Sequence, residues 1–181
     1  MIEMATIQGS ASSLASDVEQ HPWFAIQVRT RHELGIASYL QGKGYEPFVP
    51  TYSVRKRWSD RIKQVDTALF PGYIFCRLNL QYRLPVLTTP GVIQIVGYDH
   101  RPIPVDSAEI EGIRTMVGSG MAAEPWPYLK VGDRVRIQRG PLRGLEGMLV
   151  EVRGAHRFVI SVTLLQRSVA AEIDPVFLKA L

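Results

Sequence analysis

The chain has 181 residues, 46% of them hydrophobic and 21% charged, with a formal net charge of +4. That length suits one or two small domains with their own cores, and no apolar run approaches the ~18 residues of a membrane span. A single cysteine excludes a disulfide framework and suits a reducing, cytoplasmic setting. The basic surplus is unevenly placed: residues 130–181 hold nine Lys and Arg against five Asp and Glu, whereas residues 1–129 hold twelve of each. A basic C-terminal part suits RNA or a ribosome as neighbour, or simply a solvated face.

Residues 1–21 are rich in Ser and Ala and lack the basic start and long apolar segment of a signal peptide, so a disordered extension is expected there. Trp23-Phe24-Ala25-Ile26-Gln27-Val28 reads as the first strand. Thr30 with Glu33 three places on fits a capping box that opens a helix. Leu34, Ala37, Tyr39 and Leu40 give it an apolar stripe, and Gly42 and Gly44 end it. Residues 45–52 read as an edge or bent strand, interrupted by Pro47 and Pro50. A basic, hairpin-like segment follows over 53–63. Residues 68–78 are the most apolar run and read as a central strand, kinked at its start by Pro71-Gly72.

Residues 81–88 read as a short helix weakened by Pro85, and 91–96 as another strand. Ser107 or Asp106 caps an amphipathic helix through Ile110, Ile113, Met116 and Val117. Residues 121–129, rich in Ala and Pro, read as a flexible linker. Beyond them the period becomes two: Val135 and Ile137 alternate with Arg134 and Arg136, the mark of a half-buried strand. Gly140-Pro141 and Gly144 punctuate a turn, and Gly147 re-enters a sheet where a side chain would obstruct close backbone approach. Val150, Val152, Val159, Ile160, Val162 and Val169 favour strand. The expected fold class is α+β: an antiparallel sheet flanked by helices over 22–120, then a small SH3-like β-barrel over 130–181.

Catalysis has little support in these residues. His21, His32, His100 and His156 are scattered, without cysteines or carboxylates at ligand spacing, so no metal or cofactor is expected. No nucleophile–base pair and no phosphate-cradling loop can be nominated, and the chain is read as a non-enzyme.

The segment 130–152 resembles the KOW motif. Trp23 to Val28, Arg31-His32-Glu33, Phe70-Pro71-Gly72-Tyr73-Ile74-Phe75 and Thr89-Pro90-Gly91-Val92 resemble, in order and spacing, the N-terminal domain of NusG-family transcription factors. Arg57-Trp58-Ser59-Asp60-Arg61 and residues 164–169 resemble the specialised UpxY-like and RfaH-like antiterminators more than housekeeping NusG. The resemblance implies an elongation and antitermination factor that binds the clamp helices of RNA polymerase and suppresses pausing. It implies polymerase contact by Trp23, Phe24, Phe70, Pro71, Gly72, Tyr73 and Phe75. Arg29, Arg31, His32, Arg55, Lys56, Arg57, Trp58, Arg61 and Lys63 would meet DNA near the transcription bubble, by phosphate neutralisation and stacking.

Leu142, Leu145, Leu164, Leu165 and Arg167 would form the KOW partner surface, for a small-subunit ribosomal protein or Rho. Leu142, Leu145 and Leu165 stand where housekeeping members carry Phe, which implies weaker Rho coupling. Tyr82-Arg83-Leu84-Pro85 replaces the run with which the specialised paralogue makes a second polymerase contact. The rival readings are a housekeeping NusG that couples polymerase to Rho and the ribosome, and a KOW-type RNA- or ribosome-binding module. A monomer without membrane association is expected.

Overall fold

The computed structural model describes residues 21–57, 62–127, 132–152 and 154–181. The N-terminal extension, Trp58, Arg61 and Lys130 lie outside these residues. The N-terminal unit is built on β1 (Trp23–Val28), whose side chains alternate between two buried faces: Trp23 and Ala25 on one, Phe24, Ile26 and Val28 on the other. β1 pairs antiparallel with β5 (Tyr73–Arg77), Trp23 lying opposite Arg77 and Gln27 opposite Tyr73. Its other edge pairs with β6 (Val92–Ile95) and β9 (Pro104–Val105). β2 (Glu46–Phe48) lies outside β5, where Pro47 removes a donor from an edge strand rather than a central one.

Two helices cover opposite faces of this sheet. α1 (Glu33–Gly42) buries Glu33, Ile36, Ala37 and Leu40, an i, i+3, i+4, i+7 stripe, against Phe24, Ile26, Ile74 and Cys76. That corrects the expected stripe: Leu34 and Tyr39 are 50% and 54% exposed. The capping box is also absent, because His32 is the N-cap and Glu33 turns inward. α2 (Leu84–Leu87) adds Val86 to the same core, with Pro85 in its first turn, where a missing N–H does no harm. Lys43 pins it, its Nζ donating to the Pro85 carbonyl at 2.9 Å and to Thr89 Oγ1 at 3.1 Å.

α3 (Ser107–Gly118) lies on the other face and buries Ile110, Ile113 and Met116; Asp106 caps it, accepting the Ala108 N–H at 2.8 Å. β3 (Thr51–Arg57) and β4 (Ile62–Ala68) form a separate two-stranded ribbon, and β7 (Gly97–Tyr98) pairs with β8 (Arg101–Pro102).

The C-terminal unit is a six-stranded antiparallel sheet. Its strands are β10 (Ala123–Pro127), β11 (Asp133–Ile137), β12 (Glu146–Val152), β13 (Ala155–Val162), β14 (Arg167–Glu172) and β15 (Leu178–Ala180), in the order β10-β14-β13-β12-β11-β15. Val135 and Ile137 point inward and Arg134 and Arg136 outward, as the alternation demands. A Cβ on Gly147 would stand 2.6 Å from the Val159 carbonyl oxygen and 2.8 Å from the Phe158 ring, so only glycine lets β12 and β13 approach here.

One stretch differs from expectation. Residues 123–127, composed like a linker, form β10 and pair with β14 from Ala123 opposite Ala171 to Pro127 opposite Arg167. Extended Pro-rich backbone suits an edge strand, which offers few N–H groups to lose.

The two units share one apolar cluster. Trp23 and Phe75 of the first sheet, Phe70 of the loop before β5, Ile113 of α3, and Phe158, Ile160, Val162 and Val169 of the second sheet belong to it. Gly112 makes the notch: a Cβ there would meet Ile160 Cδ1 at 3.3 Å. No helix among the described residues is long and apolar enough to cross a membrane.

Candidate functional site

The loop between β4 and β5 carries Leu69-Phe70-Pro71-Gly72, and three constraints shape it. Gly72 has φ +84°, a region open to glycine at little cost. Its carbonyl accepts the Val28 N–H at 2.9 Å. Its own N–H donates to Glu33 Oε1 at 2.8 Å, a buried hydrogen bond that ties the loop to the first turn of α1. Glu33 therefore acts on the loop and not on its own helix. The detectable signal was an acid placed at the head of a strict apolar stripe.

The loop presents Pro71 exposed and Tyr73 half-buried, while Phe70 is 1% exposed and stacks edge-on to Phe75, with ring centroids 5.4 Å apart. Phe75 and Trp23 share this face of the sheet. The guanidinium groups of Arg77 and Arg114 lie 4.9 and 5.2 Å from the Trp23 ring, and Glu46 pairs with both arginines at 3.4 and 3.3 Å. The Trp23 indole N–H is buried and finds no acceptor among the described residues. Phe24 belongs to the opposite face, under α1, so the sheet separates it from Phe70, Tyr73 and Phe75. A strand cannot turn Trp23 and Phe24, adjacent in sequence, toward one surface.

The C-terminal unit lies over this loop. Arg167 Nη1 donates to the Pro71 carbonyl at 3.0 Å, and the guanidinium sits 4.8 Å from the centre of the Tyr73 ring. Beside it, the N–H and Oγ1–H of Thr163 donate to the Glu109 carboxylate of α3 at 3.2 and 2.7 Å. Leu145, Leu164 and Leu165, half-buried, pack against the shared cluster. Of the five expected KOW partner residues, Arg167 meets the expected polymerase residues directly, and Leu145, Leu164 and Leu165 pack against the cluster that the two units share. Leu142 differs: at 1% exposure it belongs to the interior of the C-terminal unit, held there by the turn at Gly140 to Gly144. Nothing in its composition marked Thr163 or Glu109, since a threonine and a surface glutamate are ordinary residues on a strand end and a helix.

The expected DNA-contact residues fall into two groups. Arg29, Arg31 and His32 are exposed on the turn leaving β1, with Arg31 at φ +71°. Arg55 and Lys63 are exposed on the ribbon, whose register places Arg55 opposite Gln64 and Lys56 opposite Lys63. Arg57 also lies in β3. The loop 69–72 is hydrogen-bonded toward both, the Leu69 N–H donating to the Pro50 carbonyl and the Gly72 carbonyl accepting the Val28 N–H, each at 2.9 Å. On the far edge of the first unit, Tyr82, Arg83 and Leu84 are all exposed, Tyr82 to 69%.

Among the described residues there is no group of three or more His, Cys, Asp or Glu able to hold a metal ion. The Cys76 thiol is buried, and desolvation, followed by the charge of Glu46, pushes its pKa from 9.0 up to about 12. It is a core side chain held protonated at neutral pH, not an activated nucleophile.

Known proteins match this chain along most of its length. The sequence model of the family described as "Transcription termination factor nusG" matches residues 21–114. The NusG transcription termination/antitermination protein of Lactococcus lactis is 28% identical over 84% of this chain and 89% of its own length. That of Thermus thermophilus is 29% identical over 75% of this chain and 80% of its own. A solved structure described as domain interaction in Thermotoga maritima NusG covers 91% of this chain and 99% of its own, with a TM-score of 0.56 at 18% identity, and shows the same fold. With the sheet, the aromatic loop and the six-stranded C-terminal unit in this order, the chain belongs to the NusG family of transcription factors.

Proposed function

We propose that this chain is a transcription elongation factor that docks on the clamp helices of RNA polymerase through Pro71, Gly72 and Tyr73, with Phe70 and Phe75 as the floor of the contact. By holding the clamp in its closed state it suppresses pausing and promotes read-through of terminators, since a ligand that prefers one of two states shifts the population toward it. The ribbon and the Arg29 to His32 turn contribute phosphate contacts to DNA beside the bubble. Leu145, Leu164, Leu165 and Arg167 serve a further partner of the C-terminal unit, a ribosomal protein or Rho. Leucines at three of the housekeeping phenylalanine positions favour a specialised antiterminator with weak Rho coupling.

One observation carries the reading further. Arg167 on Pro71 and Tyr73, with Thr163 on Glu109, brings the two proposed partner surfaces face to face. In this arrangement Arg167 partly covers Tyr73 while Pro71 stays exposed, so full polymerase binding requires the C-terminal unit to move away. The test is transcription in vitro with purified polymerase, with and without Rho. Wild-type protein should speed passage through pause sites, Arg167→Ala should do so at lower concentration, and adding Tyr73→Ala to that variant should abolish the effect while the thermal melt stays cooperative. Pausing that responds equally to all three proteins would refute the assignment of the loop.

A further inference from the structure

Between α3 and the C-terminal unit the chain has two distinct parts. Residues 119–122 join Gly118 to β10, and β10 is itself laid down as the edge strand of the sheet beside β14. We infer that β10 is a releasable strap that gives the tether two lengths. Annealed, it leaves four residues between α3 and the sheet, a maximum reach of roughly 13–14 Å. Peeled from β14, it lengthens the tether to at least the nine residues 119–127, roughly 30–32 Å when fully extended. The inference rests on the reading that the C-terminal unit leaves the aromatic loop.

The strap is an edge strand whose Pro125 and Pro127 have no N–H and are exposed, so its ladder to β14 can draw only on the amides of Ala123, Glu124 and Trp126. Side chains supply the fastening. Arg157 of β13 reaches past β14, its Nη1 2.9 Å from Glu124 Oε1 and its guanidinium 5.9 Å from the Trp126 ring. The same guanidinium lies 3.7 Å from Glu172 of β14, so one arginine ties β13, β14 and β10 together. The strap also ends at the closure: Pro127 lies opposite Arg167, the residue that grips Pro71 and Tyr73.

Tether length decides what happens after opening. On four residues the C-terminal unit stays beside the loop at high effective concentration and recloses readily. On nine or more it reaches a distant partner and recloses less often, because effective concentration falls as the tether grows.

The test uses the full chain. Amide exchange is followed in β10 and β14, and spin labels at Gln81→Cys and Lys179→Cys report the separation of the units. Glu124→Gln and Arg157→Ala should each speed exchange of the Glu124 and Trp126 amides by roughly two- to tenfold while β11 and β12 keep their protection. In an Arg167→Ala background they should also broaden the label distances to longer values. Joining Ala123→Cys to Ala171→Cys by a disulfide should remove those longer distances. Unchanged β10 exchange in both variants, or long distances that survive the disulfide, would overturn the strap. If β10 exchange rises but Arg167→Ala does not separate the units, the strap stands and the closure assigned to Arg167 fails.

Discussion

Glu33 lies at the head of the buried stripe of α1 and spends its carboxylate on the Gly72 N–H. Removing it leaves that N–H buried without an acceptor, a cost of about 1–3 kcal/mol. Glu33→Ala should therefore lower stability by that amount in urea denaturation and weaken polymerase binding further by loosening Tyr73. Glu33→Gln, whose amide oxygen can still accept, should recover most of both. Cys76 offers a second check at this scale. Its folded pKa is raised to about 12, so the native state keeps a proton that the unfolded chain releases above 9.0. Its contribution is fully present below pH 9 and is lost as pH rises toward 12; Cys76→Ala should flatten that alkaline decline. Neither role could be read from residue type. Glu33 could be read as a cap because the S/T-x-x-E spacing is local, whereas its true partner is 39 residues away in sequence.

At the scale of elements, periodicity located most strands and the two longer helices, because burial on a sheet or helix face imposes a period that the sequence must carry. It failed on the phase of α1. The stripe through 33, 36, 37 and 40 is strictly helical, but an acid at its start made the looser set with Leu34 and Tyr39 look more apolar. Leu34→Lys should change stability by no more than about 0.5 kcal/mol in chemical denaturation, where Ile36→Ala should cost about 2–5 kcal/mol. Gly147 was legible for the opposite reason: a lone glycine inside a strand pattern signals close approach, and the Val159 carbonyl is there. Gly147→Ala forces backbone to shift and should cost roughly 1–3 kcal/mol in the same assay. β10 was hidden because Ala- and Pro-rich composition describes both a linker and an edge strand; only the partner β14 decides between them.

For the whole molecule, two units with α+β and all-β character follow from the change in hydrophobic period near residue 130. What composition could not reveal was that they share a core cluster. That contact depends on Gly112 opposite Ile160, Thr163 opposite Glu109 and Arg167 opposite Pro71 and Tyr73. None of these pairs is close in sequence, and each residue is unremarkable alone. The contact also explains why an aromatic loop suited to a protein partner is half-hidden here: the basic end of the chain supplies the cation that covers it. Losing the Arg167 contacts should weaken the closed form by about 1 kcal/mol, roughly a fivefold gain in the open fraction.

The most direct measurement is the affinity of the full-length protein for purified core RNA polymerase, comparing wild type, Arg167→Ala, and Arg167→Ala with Tyr73→Ala. Because apparent affinity scales with the fraction of protein able to bind, Arg167→Ala should bind up to about fivefold more tightly than wild type, and the double variant should lose binding. Arg167→Ala that binds no more tightly than wild type, or a double variant that binds as well as the single one, would contradict an occluded Pro71–Tyr73 docking loop.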